Sequence, residues 1–306
     1  MNQGLLERTR STLDQLRDEL LAERSDGHHW TGTLSPSALS TATAVSAMAS
    51  VLMNTSGSPR GASITSEQLG HCIAAGIQYL QRQQNEDGGF GDTDRSHSNI
   101  ATSYLVLAAS ALAEKAIGGG LASDTVSALE QYIEQLGKLE ALKERYGKDK
   151  TFVVPILTNM AIAGLVPWKT VAALPFEAAV FPQSMYRLLQ MPVVSYAIPA
   201  LVAIGQARHF HGPRAFFPIR MMRMAAIGRS MSVLEKMQPE SGGYLEATPL
   251  TSFVVMSLAA TERAEHKVSQ RGLEFLVNSM NADGSWPIDT NLATWVTSLS
   301  INALAA

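Results

Sequence analysis

GIQYLQRQQNEDGGF (residues 76–90), SVLEKMQPESGGY (232–244) and GLEFLVNSMNADGSW (272–286) are three copies of one pattern. The shared positions are Leu80, Gln84, Gly88 and Phe90, then Leu234, Gln238, Gly242 and Tyr244, then Leu276, Met280, Gly284 and Trp286. The offsets are 4, 4 and 2 in each copy. A repeat at fixed spacing governs the fold before any local signal does. In each copy a helical run ends where Asn, Asp and Gly accumulate, because a helix stops most easily on a residue that tolerates positive φ.

A second signature follows each aromatic: Ser98–Thr102, Thr248–Ser252 and Thr290–Thr294, with a further copy at Ser37–Thr41 after Trp30. A hydroxyl ahead of an apolar run predicts an N-cap opening a new helix. The unit is therefore helix, Gly-aromatic turn, capped helix. The second helices (ATSYLVLAASAL, TSFVVMSLAA, ATWVTSLSINAL) are apolar nearly all round and predict burial, whereas the first helices carry charge and predict an outer layer.

The tandem pattern resembles the QW repeats of squalene-hopene and oxidosqualene cyclases. Phe90 and Tyr244 stand where that family has Trp, and Met280 where it has Gln. The resemblance implies an all-α chain, an α/α toroid of inner and outer helices, with Gln84, Phe90, Gln238, Tyr244 and Trp286 in structural roles. It covers nearly the whole chain and matches the N-terminal half of such a cyclase. The domain expectation is an N-terminal helix at 1–30, a toroid at 31–260 with a membrane-facing segment at 152–230, and a repeat at 261–306 that begins a second barrel.

The 306 residues carry a net charge of -3, which argues against a nucleic-acid partner. The charged fraction of 17% is low for a soluble domain. The single cysteine, Cys72, rules out an internal disulfide and fits a reducing compartment. Residues 1–24 are amphipathic rather than basic-then-apolar, so no signal peptide is expected.

In order along the chain, residues 4–24 predict a helix ending at Gly27-His28-His29-Trp30, a degenerate repeat turn. Outer and inner helices are expected at 66–84 and 99–115, and Ser123 or Asp124 caps another outer helix. Residues 152–205 are apolar but interrupted by six prolines. A spanning helix needs about 20 apolar residues with its backbone bonds intact, so short helices near a bilayer surface are expected instead. From Ala178 to Leu234 there is no Asp or Glu. Arg208, Arg214, Phe216, Phe217, Arg220 and Arg223 fall in that stretch and predict a face toward anionic lipid, or else a basic loop over the rim. The expected location is the cytoplasmic side of a membrane, as a peripheral or monotopic protein.

The family protonates an isoprenoid alkene with a neutral carboxylic acid held in an Asp-x-Asp-Asp-Thr motif. Laid on the final Thr of each signature, that motif would place its central acid at Ile100 or Leu292, neither of which can donate a proton. Asp92-Thr93-Asp94-Arg95 has two carboxylates at suitable spacing but sits in a turn. Asp289 is the remaining candidate acid, although an acidic residue near a helix N-terminus is favourable on dipole grounds alone. The resemblance also assigns substrate-cavity positions: Trp168 in Val166-Pro167-Trp168, and Ala247, Thr248 and Pro249 after Tyr244. For Trp168 an interfacial or core anchor is the competing reading. No cofactor or metal is expected: His209-x-His211 lacks carboxylate neighbours, and Gly118–Gly120 is a turn without a following Lys.

Three functions follow as expectations. The first is part of a polyprene cyclase, supplying cavity wall and membrane face, with the acid on a partner half. The second is a non-catalytic isoprenoid- or lipid-binding toroid. The third is a complete enzyme using Asp289.

Overall fold

The structure is a computed structural model that describes residues 3–55, 64–147, 150–181 and 197–305. Pro182, Arg187, Gln190 and Pro192 of the apolar run lie outside the described residues, as does most of the Ser/Gly/Pro loop before α3. Regular structure among the described residues is almost wholly helical, as the repeat requires. The α-helices are α1 (Gln3–Ala22), α2 (Ala38–Asn54), α3 (Ser66–Gln81), α4 (Ile100–Ile117), α5 (Ser123–Gln135), α6 (Lys138–Tyr146), α7 (Lys150–Ile162), α8 (Ile198–His211), α9 (Phe217–Met237), α10 (Thr248–Ala259), α11 (Lys267–Asn278) and α12 (Ala293–Ala305). One two-residue strand pair joins β1 (Pro36–Ser37) to β2 (Trp286–Pro287), antiparallel, with Ser37 opposite Trp286.

The chain divides into two units. The larger is Ser35–Ile288; the smaller combines the residues up to Leu34 with those from Asp289 onward. Thus α11 and the third repeat turn belong to the larger unit, and only α12 separates from it.

In the larger unit the apolar helices pack on one another: α2 on α4, α4 on α7, α7 on α8, α8 on α10, and α10 back on α2. Their ends show that they run parallel. The start of α2 meets the turn before α4, where Ala38 N–H donates to Asp92 O at 3.0 Å. The start of α10 meets the strand after α11 through Thr248 N–H to Ile288 O at 2.9 Å. At the other end Lys115 Nζ donates to Ala163 O at 2.6 Å, and His211 Nε2 lies 2.5 Å from Ala260 O. Charged helices α3, α5 and α11 lie outside, with α3 against α2 and α11 against α10.

Burial follows the apolar pattern in this unit. Nearly all of α2, α4 and α10 is buried, and α4, which is long and apolar enough to cross a membrane, is 67% enclosed by protein. Small side chains make such close packing possible, and fully buried Leu80, Leu105, Leu112, Leu129 and Leu234 fill the space between layers. The interior is not uniformly apolar. Asn159 Nδ2 donates to Ser46 Oγ across α7 and α2 at 3.1 Å, and Ser252, Ser257 and Thr248 are buried on α10.

The smaller unit breaks the pattern. The composition of α12 matches the buried helices, yet Ser300 is its one buried residue, and α1 has none. The burial expected of every second helix therefore fails for α12.

The caps also shift. Ser37 caps α2 as expected, accepting from Ser40 N–H at 3.2 Å. At α4 the cap is Asn99 rather than Ser98, accepting from Thr102 N–H at 3.0 Å. Thr248 lies inside α10 after an uncapped Ala247, where Pro249 needs no N–H partner. Ser123 and Asp124 lie inside α5, whose N-cap is Ala122.

Candidate functional site

Each repeat turn is a joint between the next outer and the next inner helix. Gln84 Nε2 donates to Gly88 O at 2.9 Å and to Thr125 O of α5 at 2.9 Å. Gln238 Nε2 does the same to Gly242 O at 2.9 Å and Val268 O of α11 at 3.0 Å. A primary amide has two N–H donors, so one side chain both closes its own turn and clamps the neighbouring helix. Gly88, Gly242 and Gly284 have φ of 81°, 87° and 86°. A Cβ at any of them would stand under 3.0 Å from a helix carbonyl: Ala128 O, Arg271 O and Ala75 O respectively. Only glycine fits on both counts.

The aromatic residue makes the inward contact. The backbone N–H of Phe90 donates to Ser103 Oγ at 3.1 Å, that of Tyr244 to Thr251 Oγ1 at 2.9 Å, and that of Trp286 to Thr41 Oγ1 at 3.0 Å. All three rings are fully buried or nearly so. The polar tips turn back ten residues: Trp286 Nε1 donates to Leu276 O at 2.6 Å and Tyr244 Oη to Leu234 O at 2.8 Å. Burial pushes the Tyr244 hydroxyl well above its usual range, so it stays a donor.

A fourth copy lies in the smaller unit. Trp30 Nε1 donates to Leu20 O at 2.6 Å, and Trp30 N–H donates to Thr297 Oγ1 of α12 at 3.0 Å. His28 takes the glycine position at φ 59°, and exposed Arg24 takes the Gln position. The leucine ten residues before Trp30 was the available sequence signal. It is the degenerate repeat turn read at Gly27–Trp30, which lacks the Gln and Gly of the other copies.

The substrate-cavity candidates lie at two ends of α10. Trp168 stacks on His211, ring centroids 5.0 Å apart at 19°, and His211 touches Ala260 just past the C-terminus of α10. Ala247, Thr248 and Pro249 open its N-terminus, about 18 Å away at 1.5 Å per residue. Thr248 is buried, and its Oγ1 has no hydrogen-bond partner among the described residues. A cleft of about 280 Å³ touches neither group; it lies on the first repeat turn, lined by Gln84, Asn85, Glu86, Asp87 and Tyr132 among others.

Beyond Trp168 the C-terminal end of α8 carries a compact cluster. Arg223 of α9 shares its Nε–H between the two oxygens of Glu177, 3.1 Å to each, with side chains only 12% and 11% exposed. Its guanidinium also lies 5.9 Å from the Phe176 ring centre, and Phe176 sits 6.0 Å from His209. Burial, then Arg223 and Arg220, hold His209 below its usual pKa, with Glu177 opposing. Arg208 donates to Val171 O at 2.7 Å. Sequence reasoning gave Glu177 no role, because it is a lone acid in an apolar segment, one residue before the acid-free run.

The six residues expected at a membrane therefore separate. Arg208 and Arg223 are bound inward. Arg214, Phe216, Phe217 and Arg220 are exposed, the two phenylalanines at 75% and 71%. Ile219, Met221, Met222 and Met224 are exposed beside them on the first turns of α9.

The acid candidates do not assemble a proton source. Asp92 accepts from Asn99 Nδ2 at 2.9 Å and from Thr102 Oγ1, which ties it to the start of α4, while Asp94 and Arg95 face solvent. Asp289 is half-buried, and burial raises its pKa. Trp295, in the same unit, is 67% exposed and supplies no aromatic enclosure. Among the described residues no group of three or more His, Cys, Asp or Glu could hold a metal ion. No protein-family model matches the chain, and no curated protein matches it.

Proposed function

We propose that the chain is a component of a polyprene cyclase of the squalene-hopene type, built as an α/α toroid. The observation that carries this reading is the repeat turn: a Gln clamping the next outer helix and an aromatic N–H seated on the next inner helix, at one spacing. The return of contacts from α10 to α2 supports the toroid. Trp168 and Thr248, at opposite ends of α10, suit an extended chain substrate rather than a compact one. The catalytic acid is supplied from outside the described residues. The exposed start of α9 is the membrane face, placing the protein peripherally on a cytoplasmic leaflet.

A purified sample incubated with tritiated squalene is expected to retain it and form no cyclised product. Retention should fall on Trp168→Ala and be indifferent to Asp289→Asn. Product formed by the chain alone, and lost in Asp289→Asn, would make Asp289 the acid and replace this reading. A second reading, an isoprenoid- or lipid-binding toroid without catalysis, is favoured by the lack of clustered carboxylates beside Trp168 among the described residues. It gains if no acid-bearing protein restores turnover to squalene-loaded chain.

A further inference from the structure

The three repeat turns of the larger unit can be superposed residue by residue, and one of them lacks an arginine. A Cβ on the turn glycine would meet Ala128, Arg271 or Ala75, which fixes equivalent positions on the three outer helices. Seven residues further on stand Gln135, Asn278 and Arg82. In the second copy Arg271 Nη2 donates to Pro239 O at 2.7 Å and to Glu240 O at 3.3 Å. In the third copy Arg82 Nη2 donates to Asp283 O at 3.0 Å. The first copy has Ala128 and Gln135 at these two positions, and neither reaches its turn. Its equivalent carbonyls are those of Asn85, Glu86 and Asp87. Among the described residues Asn85 O accepts only from Gly88 N–H, and the other two accept nothing. The cleft of about 280 Å³ lies at this turn, lined by Ala128 and Gln135 as well as by the turn itself.

We propose that this cleft is a binding site for a guanidinium group supplied from outside the chain. The lining suits that charge. Glu86 and Asp87 form no ion pair among the described residues, and one Asp87 oxygen already holds Gly89 N–H at 3.0 Å and Ser98 Oγ at 2.6 Å, which fixes the carboxylate in place. Tyr132 also lines the cleft; it is 9% exposed, and its hydroxyl has no hydrogen-bond partner among the described residues. Burial, then Asp87, push its pKa up, so the hydroxyl keeps its proton beside the carboxylate. Arg145 is the cation that opposes this shift, yet it is exposed on α6 and donates to no atom of the turn. Carbonyls, a carboxylate and a phenol side by side match a planar fork of N–H donors, whereas an ammonium is compact and strongly hydrated. Two sources carry a guanidinium: an arginine side chain in a peptide, and a free guanidino compound. The site follows from the comparison of the three turns and would stand if squalene retention failed.

The test is an amide-shift titration of the full, nitrogen-15-labelled chain by nuclear magnetic resonance. The probes are agmatine, the peptide acetyl-Gly-Arg-Gly-amide and its lysine counterpart. Both guanidino probes are expected to move the amides of residues 86–89 along a saturating curve and to leave those of 240–243 still. The lysine peptide should bind roughly ten-fold more weakly. Tighter binding of the arginine peptide than of agmatine assigns the site to a partner's side chain, and the reverse order assigns it to a free compound. Ala128→Arg copies the second turn and Gln135→Arg, at an exposed position, copies the third; each should abolish the shifts. Arg271→Ala should open an equivalent site, seen as new shifts at residues 240–243. Equal binding of the lysine peptide, shifts that survive Gln135→Arg and Ala128→Arg, or no shift with either guanidino probe would each overturn the proposal.

Discussion

At the scale of single residues, the turn glutamine is the most exacting position, and its three sequence variants rank themselves. Gln238 is buried and serves two carbonyls, so Gln238→Ala strands both and is expected to destabilise by about 3 kcal/mol. Gln84 makes the same two bonds but is only half-buried, so water replaces part of them and Gln84→Ala should cost about 1 kcal/mol. Met280 leaves the third turn without the clamp; Met280→Gln should restore it and stabilise by up to about 1 kcal/mol. Urea midpoints of the three variants test the order, and a Met280→Gln protein weaker than the parent would show that the third turn holds α3 by another means. His266 adds a pH dependence at the same scale. Its Nδ1 accepts from Val268 N–H at 3.2 Å to cap α11, which requires the neutral ring, and burial first of all keeps its pKa below the usual value. His209 is lowered in the same direction. The unfolded chain takes up these protons near pH 6.5 and the folded chain only below that, so stability is lost as pH falls through about 6.5. A melting temperature that drops between pH 7 and 5.5, and drops less in His266→Asn with His209→Gln, is the expected record.

At the scale of elements, α9 joins two behaviours in one helix. Its later turns bury Ser230, Met231 and Leu234 in the layered packing, while its first turns expose phenylalanine and methionine among arginines. Glu177 and Arg223 mark the change. The pair is nearly enclosed, so Glu177→Gln leaves a buried guanidinium unpaired and should cost about 3–5 kcal/mol. Arg220→Glu touches no such pair; it should leave the melting temperature unchanged and weaken binding to phosphatidylglycerol vesicles. If vesicle binding survives Arg220→Glu with Phe216→Ser and Phe217→Ser, α9 does not face lipid. The sequence read this element only halfway. The absence of acids from Ala178 onward located the basic run, but the carboxylate that neutralises Arg223 lies one residue before it. Which arginines turn inward depends on the short helix around Phe176, and contacts between distant segments leave no period in a sequence.

At the scale of the molecule, helix type and layer were legible because the repeat constrains them. Gly88, Gly242 and Gly284 could be nothing else, and the aromatic after each had to be buried. Connectivity was not legible. Phe90 and Tyr244 dock on the helix that follows them, at Ser103 and Thr251. Trp286 instead docks on Thr41 and Trp30 on Thr297, although each stands eleven residues before the other's partner. The offset is the same either way, so nothing local distinguishes the exchanged pairing from the direct one. Tertiary packing decides it: α2 has α4 and α10 to lie between, and the turn that closes on α2 must come from α11. The exchange has a measurable consequence. Helices α2, α4 and α10 are buried on all sides, whereas α1 and α12 together bury one residue and are held largely by Trp30. Opening of the smaller unit should therefore cost far less than global unfolding. Hydrogen exchange on the isolated chain is expected to label α1 and α12 within minutes while α2, α4 and α10 stay protected for hours. Trp30→Ala should erase the remaining protection in α12 and leave α2 untouched; Trp286→Ala should weaken α2 and leave α12 untouched. Protection lost in the opposite helices would mean that the direct pairing, not the exchanged one, is populated in solution.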